Sequence, residues 1–306
     1  MIPRQIVEFV KSKIKKQYEI DEKEIERIFF SYAIKDKKFM DRVVNGKIEG
    51  FERLSSFKEI LKKTKKEIYY NLRQYKRNAE QRKVLFKKLK RILEKEGISE
   101  NAIKIHEEIL CTHISSKERI DTYPFFYDRI FEFTGKPKRI LDIACGMNPF
   151  SLPFMKLNDF TYICTELKQE DCDFINSYFK IISKHINVEA KAIRLNLFDL
   201  TSEEFGKKFI EENDLMKFDV VFLLKDIPVM ERLRKGISKY IIRWLPTNYI
   251  VISGSKKSMV KGKEIKKREE RLIRRVLNEL NLNIASKIEF ENEIVFIVKK
   301  NNHSYR

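Results

Sequence analysis

The sequence predicts an α/β domain built on a mostly parallel sheet and preceded by an all-helical N-terminal domain, and three observations carry that prediction. After Gly135-Lys136-Pro137, short β-branched or apolar runs alternate with helical stretches, the pattern of strands and helices winding a parallel sheet. Up to residue 112 the only proline is Pro3 and the glycines are Gly46, Gly50 and Gly97, while apolar residues recur at helical spacing. Near the end, IASKIEFENEIVFIVKK holds two strand-like runs joined at Glu291-Asn292, an antiparallel hairpin added to the sheet. The expected domains are 1–112 and 113–306, and a chain of 306 residues is long enough to bury two cores.

Taken in order, helical spacing runs through Ile6, Phe9, Val10 and Ile14, then Ile25, Ile28, Phe29 and Tyr32, then Phe57, Ile60, Leu61, Ile68, Leu72 and Tyr75. Further helices are predicted over 79–96 and, capped by Ser99, over 100–111. In the second domain, strands are predicted over 139–143, 162–165, 190–195, 219–223, 250–253, 284–290 and 293–298. Helices are predicted over 149–156, 168–185, 202–212, 228–244 and 263–280. No internal repeat or low-complexity tract interrupts this plan.

Charge narrows the partner class. The chain carries 64 lysines and arginines against 45 acids, a formal +19, which favours a polyanion because each neutralised phosphate releases condensed counterions. The excess is concentrated over 53–91, with 15 basic residues against Glu59, Glu67 and Glu80. Lys62, Lys63, Lys65, Lys66, Arg73, Arg77, Lys87 and Lys88 are the candidate RNA contacts in it. Tyr69, Tyr70 and Tyr75 lie among them, either to stack on bases or simply to line the apolar face of the helix. No apolar leader and no stretch near the roughly 20 apolar residues of a membrane span is present, so a soluble, cytoplasmic protein with no membrane partner is expected. Cys111, Cys145, Cys164 and Cys172 form no CxxC pair and have no histidine at zinc-ligand spacing. Buried or semi-buried free thiols, no metal and a monomer are expected.

The first strand runs into Leu141-Asp142-Ile143-Ala144-Cys145-Gly146-Met147-Asn148-Pro149. Ligands of doubly wound folds sit beyond the carboxyl ends of the strands, where the small residues Ala144 and Gly146 let backbone approach them. This turn lacks the third glycine of a dinucleotide GxGxxG. From Asp142 to Gly146 it looks like the acidic-x-x-x-Gly motif of S-adenosyl-L-methionine enzymes. The second strand ends at Glu166, 24 residues after Asp142, where a carboxylate can accept both hydroxyls of a ribose. The third ends in Arg194-Leu195-Asn196-Leu197-Phe198-Asp199. Asn196, or in reserve Asp199, would bind an adenine amino group, with Leu197 in the same site; either polar residue would serve equally to cap the next helix. Together these mark a class I (Rossmann-like) S-adenosylmethionine methyltransferase domain.

Four stretches go further. They are His113-Ile114-Ser115-Ser116-Lys117-Glu118-Arg119, Asn148-Pro149-Phe150-Ser151-Leu152-Pro153, Leu224-Lys225-Asp226-Ile227-Pro228-Val229-Met230-Glu231-Arg232, and Ser253-Gly254-Ser255-Lys256-Lys257-Ser258 followed by Lys261-Gly262-Lys263. Each resembles a segment of the aminoglycoside-resistance type of 16S ribosomal RNA guanine-N7 methyltransferase, the ArmA and RmtB family (FmrO group), and the resemblance covers 113–299. It implies that Arg119 reaches the carboxylate of the cofactor as a bidentate fork, while His113 and Ser115 cap and orient its helix. The departures are Ala144 for the first glycine of Gly-Cys-Gly, Ser253-Gly254-Ser255 for Phe-Pro, and Asp226 for an apolar residue near the target pocket.

The implied activity is methylation of guanine N7 in ribosomal RNA of the assembled small subunit. Two other readings stand beside it: an enzyme of this fold acting on transfer RNA or another ribosomal base, and an RNA-binding assembly factor without turnover. Methyl transfer from a sulfonium needs alignment above all, and guanine N7 carries no proton, so no general base is required. No cysteine stands after the fourth strand for attack on cytosine C5. The (Asp/Asn/Ser)-Pro-Pro-aromatic loop of exocyclic amine methylation is also missing there. No catalytic acid or base is assigned; Lys225 and Lys257 are positioning candidates, and Lys256 joins them as a contact for phosphates flanking the target.

Overall fold

The computed structural model describes residues 2–16, 22–215, 217–257 and 264–300. Contacts divide the chain into two compact units, Met1–Gln81 and Arg82–Arg306.

The first unit contains α1 (Arg4–Lys15), α2 (Glu22–Ala33), α3 (Lys37–Val44) and the beginning of α4 (Ser55–Glu96). Its core is aromatic: Phe29, Phe39 and Phe57 are buried with Ile6, Val10, Ile14, Ile25 and Ile60, and the rings of Phe51 and Phe57 meet edge to face at 4.9 Å. Helix α3 escapes the periodicity argument because it spans only two turns, but it has a cap: the Asp36 carboxylate accepts the Phe39 N–H at 3.0 Å. The two helices predicted over 57–75 and 79–96 are one continuous helix, since neither glycine nor proline interrupts 55–96.

The second unit adds α5 (Glu100–Leu110), α6 (Ile114–Lys117), α7 (Tyr123–Thr134), β1 (Arg139–Asp142), β2 (Phe160–Glu166), α8 (Gln169–Ile182), β3 (Val188–Arg194), α9 (Glu203–Glu212), β4 (Phe218–Leu224), α10 (Asp226–Leu233), α11 (Ile237–Trp244), β5 (Thr247–Ser255), α12 (Lys266–Asn278), β6 (Ile284–Glu289) and β7 (Glu293–Lys299). The strands form one sheet in the order β3-β2-β1-β4-β5-β7-β6. The first five are parallel, and β7 lies antiparallel between β5 and β6. The predicted α/β frame and terminal hairpin are therefore present.

The division corrects the expected boundary at residue 112. Leu85, Leu89, Leu93, Ala102, Ile105 and Ile109 are buried in the same core as Ile140, Tyr162 and Val251 of the sheet, so residues 82–112 cover one sheet face. The opposite face is covered by α9 to α12 through Phe209, Ile227, Ile241, Ile242 and Ile273. Ser99 caps α5 as predicted, accepting the Ala102 N–H at 3.3 Å. The helix predicted over 228–244 is two helices, broken where Arg234 is extended and Gly236 turns left-handed at φ +86°. The Glu231 carboxylate then accepts the Gly236 and Ser238 N–H groups at the start of α11. The helix predicted over 149–156 is a 3-10 segment, Asn148–Met155, because Pro153 inside it lacks the N–H that an α-helix would bond back to Pro149.

Candidate methyl-donor site

The sheet order reverses between β1 and β4, and the ligand crevice of a doubly wound sheet opens at such a switch, beyond the strand ends. Asp142 ends β1 there, Glu166 ends β2, and Lys225-Asp226 follow β4. Glu293 begins β7 at the same edge, because β7 runs opposite to β5 and pairs Glu293 with Ser255.

The turn after β1 is tight. Ala144 has φ +50° and Gly146 φ +55°. The first is a left-handed conformation held by a residue with a Cβ, at a cost of about 1 kcal/mol. It is here that the alanine departure matters, since a glycine would adopt the same backbone freely. Glu166 is directed at this turn: one carboxylate oxygen accepts the Gly146 N–H at 2.6 Å and the other the Leu167 N–H at 3.0 Å. Each oxygen keeps a free lone pair, which suits the two hydroxyls of a ribose. Burial raises the Glu166 carboxyl above its ordinary range, partly countered by these N–H groups. The room over Gly146 is used by the chain itself. A Cβ there would stand 2.7 Å from Cε1 of His113, whose ring is hydrogen-bonded to Ser115 at 3.0 Å. His113 thus occupies the N-cap position of α6 but spends its ring on the glycine turn and makes no side-chain cap.

Asp142 does not face outward. It is buried, accepting hydrogen bonds from the Tyr162 hydroxyl at 2.5 Å and the Asn148 amide at 2.8 Å, and burial pushes its carboxyl up to about 6. Asn148 is the hub that reading along the chain passes over. Its Oδ1 accepts from Tyr123 at 2.9 Å, Tyr127 at 3.2 Å and Arg119 at 3.3 Å. An asparagine directly before Pro149 at a turn reads as local capping, and nothing in the linear pattern links it to α7.

Arg119 requires a correction. It is only 2 % exposed, and its fork is taken by Glu293 through Nε at 2.8 Å and Nη2 at 2.6 Å, while Ser253 donates to the same carboxylate. The guanidinium also lies 4.7 Å over the Phe126 ring. The bidentate partner expected in a ligand is supplied by β7, because an unpaired arginine buried this deeply would be prohibitively costly. Burial alone would raise the Glu293 carboxyl; the Arg119 charge overrides it and holds it below the ordinary range. Glu293 was legible only as one acid leading an apolar run.

Lys225 is also drawn inward. It is 5 % exposed, adopts φ +70°, and donates to Glu118 at 2.6 Å and to the Ser115 carbonyl at 3.4 Å. Lys256 donates to the Phe290 carbonyl at 2.9 Å, so neither stands free on a rim; Lys257 is exposed, and its backbone pairs with that of Glu264 in an isolated antiparallel bridge. Ser253 and Ser255 are buried within β5, and Gly254 lies against α12, where a Cβ would come within 3.2 Å of Glu269. Lys261-Gly262-Lys263 lie outside the described residues. Asn196 closes a local turn, accepting the Phe198 N–H at 3.2 Å and donating to the exposed Asp199 at 3.3 Å, and Leu197 packs against the core.

Away from this edge, Lys62, Lys63 and Lys66 are exposed and Lys65 is half-buried on α4, and Lys87 and Lys88 are exposed on its second part. The side chains of Arg73 and Arg77, like those of Tyr69, Tyr70 and Tyr75, lie outside the described residues. Cys145, Cys164 and Cys172 are buried free thiols and Cys111 is exposed. Among the described residues no helix is long and apolar enough to cross a membrane, and no cluster of acids, histidines and cysteines could hold a metal ion.

A sheet of this order, with an acid at the end of β2 facing a glycine turn after β1, defines a class I S-adenosylmethionine-dependent methyltransferase. The similarity to solved structures agrees. The 16S rRNA methyltransferase RmtF, crystallised with S-adenosyl-L-homocysteine, matches 97 % of this chain and 98 % of its own at TM-score 0.62 and 17 % identity. The 16S rRNA methylase ArmA matches 70 % and 97 % at TM-score 0.50 and 25 % identity. Among characterised sequences, the 16S rRNA (guanine(1405)-N(7))-methyltransferase of Micromonospora rosea is 24 % identical over 206 residues, 67 % of this chain and 69 % of the relative. The model of the ribosomal RNA methyltransferase (FmrO) family matches residues 99–269, more than half of the chain, and the protein belongs to that family.

Proposed function

We propose that this protein transfers a methyl group from S-adenosylmethionine to N7 of a guanine in the 16S RNA of the small ribosomal subunit. The observation that carries the reading is the meeting of Glu166 with the Gly146 turn at the open edge of the sheet, 2.6 Å apart. Glu166 would hold the ribose hydroxyls, Asn196 or Asp199 the adenine amino group with Leu197 beside them, and the backbone at Ala144 and Gly146 the approach to the nucleoside. Asp142 and Arg119 act one step back: the Asn148 hub joins them, so they stiffen the turn on which the donor lies.

When bound, the donor supplies an electrophilic methyl on sulfur. What remains for the chain is to align a lone pair with it and exclude water, which needs no proton transfer at N7. The buried, mutually hydrogen-bonded state of the edge supports that economy: the His113 ring is packed over the Gly146 turn and bonded to Ser115. The lysines Lys62, Lys63, Lys65, Lys66, Lys87 and Lys88, with Arg73 and Arg77, are assigned to RNA phosphates, and Lys257 to the phosphates near the target. The names borne by the relatives support the choice of guanine N7.

The test is transfer of tritiated methyl to isolated small subunits, large subunits and transfer RNA, followed by mass-spectrometric mapping of the modified nucleotide. Label confined to one guanine of 16S RNA, and released with the methylated base when the glycosidic bond at N9, which N7 methylation weakens, is cleaved, is the expected result. Label in transfer RNA or on another base would replace the substrate, and no label anywhere would leave an RNA-binding factor.

A further inference from the structure

Charge matching along this edge isolates one group. Arg119 is paired with Glu293 at 2.6 Å, Lys225 with Glu118 at 2.6 Å, and Arg82 lies 3.5 Å from Asp171. Among the described residues, three carboxylates at the strand ends have no cation within ion-pair distance. Asp142 is satisfied by Tyr162 and Asn148, and Glu166 by two backbone N–H groups. Asp226 differs: its Oδ2 is cut off from solvent and has no hydrogen-bond partner among the described residues.

An unmatched buried carboxylate oxygen is costly, and a native fold keeps one where a ligand completes it. Asp226 begins α10, where an acid gains from the helix dipole, but that gain requires no burial. Its placement is also enforced. Lys225 holds a left-handed φ of +70°, which turns the lysine back to Glu118 and sets Asp226 just beyond β4, whose Phe222 is in register with Asp142. Strain of this kind persists where the surroundings over-determine it, typically at ligand sites.

Ionised, Asp226 needs a donor, and a cation above all, because Asp142 and Glu166 add their charge to the same edge. An ammonium group is both, with three N–H donors and no acceptor. Resting on the methyl-donor reading above, we infer that Asp226 receives the α-ammonium of the amino-acid tail of S-adenosylmethionine. Burial, and then the charges of Asp142 and Glu166, push the Asp226 carboxyl well above its ordinary range, so an arriving cation is what favours its ionised form.

Calorimetry on the full chain tests this with four probes: S-adenosylmethionine, S-adenosylhomocysteine, decarboxylated S-adenosylmethionine, which keeps the ammonium, and 5′-methylthioadenosine, which lacks the whole tail. Asp226→Asn should weaken the first three on the order of ten- to a hundredfold and leave 5′-methylthioadenosine within about twofold. Asp226→Leu should do the same, and thermal melting of both variants at or above the wild type shows that the fold is kept. Equal weakening of all four probes, or of none, overturns the assignment while leaving the donor reading standing. Wild-type protein that binds none of the four overturns the donor reading and this assignment with it.

Discussion

The beginning of helix α4, in the first unit, and the strand-end edge of the second unit are both rich in charge and treat it in opposite ways. On α4, Lys62 and Lys66 stand in solvent and Lys63 pairs with Glu59, one turn away, at 2.7 Å. At the edge, Arg119 and Lys225 are buried and each is held by a carboxylate brought from far along the chain, Glu293 and Glu118. Exposed charge contributes little to stability and remains available to a polyanion; buried charge is committed to architecture, and removing one half of it leaves the other stranded.

The sharpest way to break that contrast is at Arg119. Glu293→Met or Arg119→Met alone should cost about 3–5 kcal/mol in chemical denaturation, whereas the two together should recover most of the loss. Additive losses would mean that the pair does not act as a unit.

A buried neutral group sharpens it next. His106 bonds the Ala102 carbonyl at 2.8 Å and Tyr178 at 3.1 Å, and burial pushes its pKa down to about 4. The unfolded chain takes up this proton near pH 6.5 and the folded chain does not, so the contribution of His106 is complete above 6.5 and is lost as the pH falls toward 4. The destabilisation caused by His106→Gln should therefore shrink by about 3 kcal/mol between pH 7 and pH 4. His113 shifts in the same direction and Asp142 in the opposite one, so the difference between variant and wild type is the quantity to follow. A constant difference would place a charged imidazole in the fold.

Smaller still is the strain at the glycine turn. Ala144→Gly should stabilise by roughly 1 kcal/mol, read as a rise in the denaturation midpoint at unchanged slope. Last, converting Lys62, Lys63 and Lys66 to Ala should move stability by no more than about 0.5 kcal/mol each. The slope of log affinity for RNA against log salt should nonetheless fall by roughly 0.7–0.9 for every lysine that meets a phosphate. Unchanged RNA affinity would make this face merely solvated.

Much of the molecule is legible along the chain. The periodicities, the Ser99 cap, the glycine turn, Glu166 and the terminal hairpin depend on neighbours a few residues apart, and local chemistry decides them. The domain boundary is not of that kind: the apolar stripe of 82–112 looks the same whether it covers helices or a sheet. Nor is the arrangement at Arg119. A guanidinium fork announces that it needs a carboxylate but not which one, and the partner 174 residues away is chosen by the antiparallel return of β7.

By itself, then, the sequence determined the fold class, the strand-end turn and the excess of positive charge, because spacing and composition are enough to set them. Tertiary structure alone decided which charges are matched and which carboxylate is left over. Burial makes an unmatched charge expensive, and burial is a property of where distant segments meet.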